Sequence, residues 1–210
     1  MCITSRTLTG IPGAPTIGPM TTQVAYRHWT RKEYDRLIEL GILHEHERIE
    51  LIGGQMIVAE PKGTPHSTAV GLTAEALRAA FGAGWVVRVQ DAIALDEESE
   101  PEPDVAVVRG QWRDYRAEHP SRPALVVEVA ESSLAFDRRH KGSVYARGGI
   151  ADYWIVNLRR RVLEVYREPV PAPSARFGWS YARVRTLRES ASIAPLAAPA
   201  AAITVADLLP

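Results

Sequence analysis

Two carboxylates in this chain stand where carboxylates are costly. Asp104, in "PEPDVAVV", opens an apolar run, and Glu128, in "ALVVEVAESS", interrupts one. A strand buried on both faces tolerates an ionised side chain only when a partner or a metal compensates it. The two acids lie 24 residues apart, each in its own short run. If those runs are neighbouring strands, both carboxylates can point into one cleft. Converging oxygen donors suit a hard divalent cation such as Mg²⁺, which keeps several of its waters. The same pair could serve as acid and nucleophile of a glycosidase, and spacing does not separate the two.

Lys141 favours the first chemistry. It lies in "FDRRHKGSVYARGG", a helical segment that follows the Glu128 strand closely enough to fold back over the acids. A lysine beside two carboxylates and a cation can position a water, help deprotonate it and steady charge on a phosphate. Each residue also has a plainer account. Lys141 could be a solvated side chain paired with Asp137 one turn away, and Glu128 could sit exposed at a strand end or against an arginine.

Positioning these groups is the work of the surrounding elements. "TRKEYDRLIELGI" reads as a helix, with Thr30 and Glu33 as a capping box and Gly41 as its stop. "RIELIGGQMIVAE" reads as a hairpin around Gly53 and Gly54, and "HSTAVGLTAEALRAAFGAG" as a second helix. "WVVRVQDAIAL", "DVAVVRG" and "PALVVEVA" are β-branched runs bounded by Pro, Gly and acids, hence three strands. "DYWIVNLRRRVLEVYRE" reads as a strand, a tight turn and a strand, and "SYARVRTL" as another. The Ala/Pro-rich end closes on residues apolar enough to pack back. The order predicts an α/β (α+β) fold on a mixed sheet and not an alternating doubly wound one.

Composition narrows the rest. Lys plus Arg and Asp plus Glu number 25 each, so the formal net charge is zero and exerts no global pull on nucleic acid or membrane. A single cysteine, Cys2, excludes an internal disulfide framework and a multi-cysteine zinc site. No apolar run approaches the roughly 20 residues that span a bilayer. Residues 1–24, rich in Gly, Pro and Thr, read as a flexible lead-in, and a cytoplasmic setting is expected.

"PEPDVAVV", "LVVEVAESS" and "DRRHKGSVYARGGIADYWIVN", in that order, resemble the Uma-two family of "putative restriction endonucleases" within the PD-(D/E)XK nuclease superfamily. The likeness extends upstream to "RIELIGGQMIV" and "PHSTAV". It implies one restriction-endonuclease-like domain over 25–210, with a mixed central sheet flanked by helices. It further implies DNA as substrate and Mg²⁺ or Mn²⁺ as cofactor. Asp104, preceded by Pro103, would be the motif aspartate and Glu128 the second metal-binding acid. The superfamily's usual lysine position, two residues beyond the acid, holds Ala130 here, and Lys141 on the next helix takes its place. Glu50 and His66 match the family's pattern as accessory contacts. Where the family's "YWIVN" strand commonly ends in Asp, this chain has Asn157.

The expectation is therefore a metal-dependent endonuclease with Asp104, Glu128 and Lys141 as its catalytic set. Pairing of two sites in a homodimer would suit cutting both strands of a duplex. The competing expectation is a non-catalytic binding or regulatory protein that keeps the nuclease-like fold. Basic side chains at Arg138, Arg139, His140, Arg147 and Arg159 to Arg161 could form a phosphate patch, although "RRR" at 159–161 reads more simply as a solvated turn.

Overall fold

The computed structural model describes residues 26–44, 47–59 and 61–210. The expected lead-in at 1–24, and Cys2 with it, lies outside these. The elements run α1 (Arg31–Glu39), β1 (Ile49–Ile52), β2 (Gln55–Val58), α2 (Thr64–Phe81), β3 (Trp85–Val89), β4 (Val105–Arg109) and β5 (Leu125–Ala130). Then come α3 (Leu134–Phe136), a π-turn (Asp137–Lys141), α4 (Gly142–Arg147), β6 (Asp152–Asn157), β7 (Val162–Pro171), β8 (Trp179–Arg188), β9 (Ser192–Ile193) and β10 (Ile203–Thr204).

Strands β3 to β8 form one sheet in chain order, in which β5 and β6 run parallel and every other pair antiparallel. The parallel pair needs a crossover, and the α3–π-turn–α4 segment supplies it. β1 and β2 form a separate hairpin whose turn uses Gly53 and Gly54 at positive φ, the conformation that glycine adopts without steric cost. The expected capping box is present: Thr30 Oγ1 accepts from the Glu33 amide and the Glu33 carboxylate accepts from the Thr30 amide.

Period-two alternation splits the core into two layers. Leu125, Val127 and Val129 of β5 join Val105, Val107, Trp154 and Val156 under α2, together with Ile203, Val205 and Leu208 from the chain end. Val126 and Ala130 face the other way, with Ala106, Tyr153 and Ile155 against Val144 and Tyr145 of α4. Glu128 has the parity of that second layer. The C-terminal residues thus pack back as their composition predicts. One strand is shorter than read: "WVVRVQDAIAL" is extended only through Val89, because Gln90 turns at φ 52° and its amide donates to the Asp104 carbonyl. Among the described residues no helix is long and apolar enough to cross a membrane.

Candidate active site

β4 and β5 are antiparallel neighbours with Val105 opposite Val127. The next residues outward along that register are Asp104 and Glu128, which meet across the ladder. Glu128 Oε2 accepts from the Asp104 amide at 3.4 Å, and Asp104 Oδ2 accepts from the Val129 amide at 2.9 Å. Both acids are buried, at 3% and 2% exposure.

The crossover brings Lys141 to them. Within it the Gly142 amide donates to the Asp137 carbonyl five residues back, and Tyr153 Oη donates to the same carbonyl at 3.0 Å. A Cβ on Gly142 would lie 3.3 Å from that carbonyl oxygen, a tight contact that glycine avoids. The widened turn points Lys141 inward at 6% exposure. Its Nζ lies 3.0 Å from Glu128 Oε1 and 3.0 Å from Glu50 Oε2. It is neither solvated nor ion-paired with Asp137, whose Oδ2 accepts from Ser133 Oγ instead. Tyr145, one turn beyond Lys141, donates to Glu128 Oε1 at 2.7 Å.

Glu50 and His66 arrive from the hairpin and from the first turn of α2. Glu50 also accepts from the Glu102 amide at 3.2 Å. His66 Nε2 lies 3.1 Å from Asp104 Oδ2 and 3.1 Å from Lys62 Nζ. One nitrogen cannot accept from an ammonium and donate to a carboxylate at once. Because Asp104 is an acceptor only, Nε2 carries the proton, and Lys62 reaches the same carboxylate through Oδ1 at 3.7 Å. All five residues singled out in the sequence therefore fall in one buried cluster.

The charges are strongly coupled. Burial would raise Asp104, but the His66 hydrogen bond, the Lys62 charge and the Val129 amide overcome it and hold the carboxyl far below its ordinary value. Burial pushes Glu128 up to about 8, with Asp104, Asp137 and Glu50 adding to the rise and Lys141 opposing it. Burial also works against the Lys141 ammonium, yet Glu128, Glu50, Asp137 and Asp104 together hold its pKa well above the usual lysine value.

A cavity of about 420 Å³ opens onto the cluster. Glu50, Lys62, His66, Glu128, Asp137 and Lys141 line one part of it, and Ile57, Val58, Pro61 and Phe136 another. Lys62 and Tyr145 were not anticipated. The signal for Tyr145 is its i, i+4 relation to Lys141, which puts both on one helix face. Lys62 sits before α2 begins, where no helical period applies.

A second network ties down the crossover. Arg138 donates through Nε and Nη2 to Glu164 of β7 at 2.8 and 2.6 Å, and Glu164 also accepts from Asn157 and Tyr166. Glu164→Ala strands the buried Asn157 amide and is expected to destabilise by about 1–3 kcal/mol in urea titrations. Arg138→Ala is expected to cost less, because its side chain is 40% exposed and screened by water. Arg147 is likewise held by Asp96 and Ser99. Arg159 to Arg161 occupy the exposed β6–β7 turn, the plainer of the two readings, with Arg161 paired to Glu189.

The donor set fits a hard divalent cation. Among the described residues, Glu128 Oε2 has only the long contact to the Asp104 amide, and Asp104 Oδ1 only a 3.3 Å contact from Gln90 and the distant Lys62, so lone pairs remain on both. Among the described residues no group of three or more His, Cys, Asp or Glu side chains is arranged to hold a metal. Such a set suits an ion bound through one or two carboxylates plus water and phosphate oxygens, as Mg²⁺ often is, and not a closed cage.

None of the curated proteins matches this chain. Among solved structures, a protein from Anabaena variabilis ATCC 29413 described as "a putative nuclease belonging to DUF820" superposes with a TM-score of 0.60 at 15% identity. The match covers 82% of this chain and 96% of that one, and at that identity it establishes a shared fold. The sequence model of the Uma2 family, described as "Putative restriction endonuclease", matches residues 31–206. That is most of the chain, and it spans every residue of the cluster: the chain belongs to the Uma2 family.

Proposed function

We propose that this protein is a metal-dependent endonuclease that hydrolyses DNA phosphodiester bonds. Asp104 and Glu128 would hold Mg²⁺ or Mn²⁺, and Lys141 would act beside them. The observation that carries the reading is the convergence of Asp104, Glu128 and Lys141, from three separate segments, in one buried cluster beside a cavity. When bound, the cation supplies Lewis-acid stabilisation of charge on the phosphate and acidifies water. The ionised Asp104 gives it a permanent anchor, fixed by His66 and the Val129 amide. Glu128 must shed its proton to join, so occupancy of the site rises with pH. Lys141 is then placed to orient the attacking water or neutralise a non-bridging oxygen, with Glu50 holding its ammonium in position. Tyr145 fixes the rotamer of Glu128. The same reading carries a cytoplasmic setting and a homodimer.

The competing account, a nuclease-like protein that binds without cutting, draws on one observation: Lys141 and Tyr145 already satisfy Glu128 Oε1. The test is nicking of supercoiled plasmid and cutting of single-stranded DNA in Mg²⁺, Mn²⁺ or EDTA. The expected result is metal-dependent cleavage by the wild type, absent in EDTA and in Asp104→Ala and Glu128→Ala. Cleavage that survives both substitutions, or none in either metal, would leave the binding account.

A further inference from the structure

Every polar group of the cluster lies below the surface. Asp104 and Glu128 are almost fully enclosed, and Asp104 does not itself line the cavity; His66 and Lys62, which do, contact it. Glu128 is the one of the two acids that the cavity reaches directly. The cavity of about 420 Å³ falls in the range that encloses a single small molecule, roughly 300–1,000 Å³. A duplex is a stiff rod whose grooves and regularly spaced phosphates must be met from outside, and holding it takes a track of cations. Among the described residues only two lysines, Lys62 and Lys141, line this opening, too few for such a track. Lys62 and Lys141 are engaged with carboxylates, Arg138 is committed to Glu164, and Glu131 adds a negative charge to the lining. The overall charge of zero offers no compensation. What the opening does offer is apolar surface: Ile57, Pro61 and Phe136, with Val58 at 70% exposure beside them. Apolar and aromatic surface is what receives an unstacked base, and stacking on it adds to the phosphate contacts that hold a single strand.

We propose that this cavity admits one unpaired nucleotide of a single-stranded or locally melted nucleic acid, phosphate toward the carboxylates and base against the Ile57–Pro61–Phe136 wall, and that an intact duplex is not its substrate. The proposal rests on the nuclease reading for its chemistry but makes a separate statement about binding.

The experiment measures both. Asp104→Asn in Mg²⁺ is titrated by fluorescence anisotropy with a short oligodeoxynucleotide, single-stranded or closed into a hairpin duplex of the same sequence. Wild-type cleavage of the two is followed in parallel. The single strand is expected to bind at least about tenfold more tightly than the duplex, with the weak salt dependence of one or two phosphate contacts. Phe136→Leu, which keeps an apolar side chain but removes the ring, is expected to lower that affinity about tenfold and leave duplex binding unchanged. Equal or tighter binding of the duplex, equal cutting of both forms, or no binding of either overturns the proposal. A wild type that cuts neither form, with the single-strand preference intact in Asp104→Asn, overturns the nuclease reading and leaves the nucleotide site standing.

Discussion

Lys141→Ala is expected to abolish cleavage and to unsettle the fold, and the two effects are separable by pH. Removing a preorganised cation from beside a reacting phosphate costs about 10²–10³-fold in rate, so activity should fall to background at every pH where the protein is folded. The structural loss has a different profile. Nζ lies 3.0 Å from each of two buried carboxylates, and taking one partner from such a set costs about 3–5 kcal/mol. Glu128 has its folded-state pKa raised from 4.5 to about 8. A group raised on folding contributes stability that is full below its unfolded value and is lost as pH rises through its folded value. Without Lys141 the main charge that opposes the rise is gone. The deficit of Lys141→Ala relative to wild type should therefore be small near pH 5, where Glu128 is protonated in either protein, and should grow through pH 8. Urea midpoints at the two pH values check this; a deficit equal at both would mean that the lysine does not neutralise Glu128.

Trp154→Ala is the largest purely structural effect. Trp154 is fully buried between the sheet and α2, and its indole donates to Asp152 Oδ1 at 2.8 Å. Truncating such a side chain costs about 3–5 kcal/mol, out of a total stability of roughly 5–15 kcal/mol. The melting temperature of a domain of this size should fall by roughly 6–20 °C in a calorimetric scan. Asp152 keeps its ion pair with Arg167, so no buried charge is orphaned and the loss is one of packing. Trp154 faces away from the cluster. Cleavage per folded molecule at low temperature should accordingly stay close to wild type, which sets this variant apart from Lys141→Ala.

Most of the architecture is legible in local sequence because local sequence determines it. The Thr30–Glu33 capping box, the paired glycines of the hairpin and the β-branched runs each satisfy their own backbone requirements, and each forms where expected, save that the first run ends at Val89. The carboxylates were legible for the opposite reason: Asp104 and Glu128 violate the apolar pattern around them, and the β4–β5 register explains why both violations occur at the same level of the sheet. The π-turn was not legible. A helix read at 3.6 residues per turn gives no hint that Asp137 to Lys141 are widened, since the cause, Tyr153 on Asp137 and the close approach at Gly142, lies partly on another strand. The meeting of Lys141 with Glu50 is equally invisible, because 91 residues separate them and only the docking of the hairpin brings them together.

That docking has a consequence of its own. The hairpin is no part of the main sheet. It is fastened to the body through Leu51 to Glu100, Gly54 to Glu98, Gly53 to Ser99 and the Glu50–Lys141 pair. Opening the hairpin would take Glu50, one of the two carboxylates beside the Lys141 ammonium, out of the cluster, while Asp104, Glu128, Lys141 and Tyr145 keep their contacts with one another.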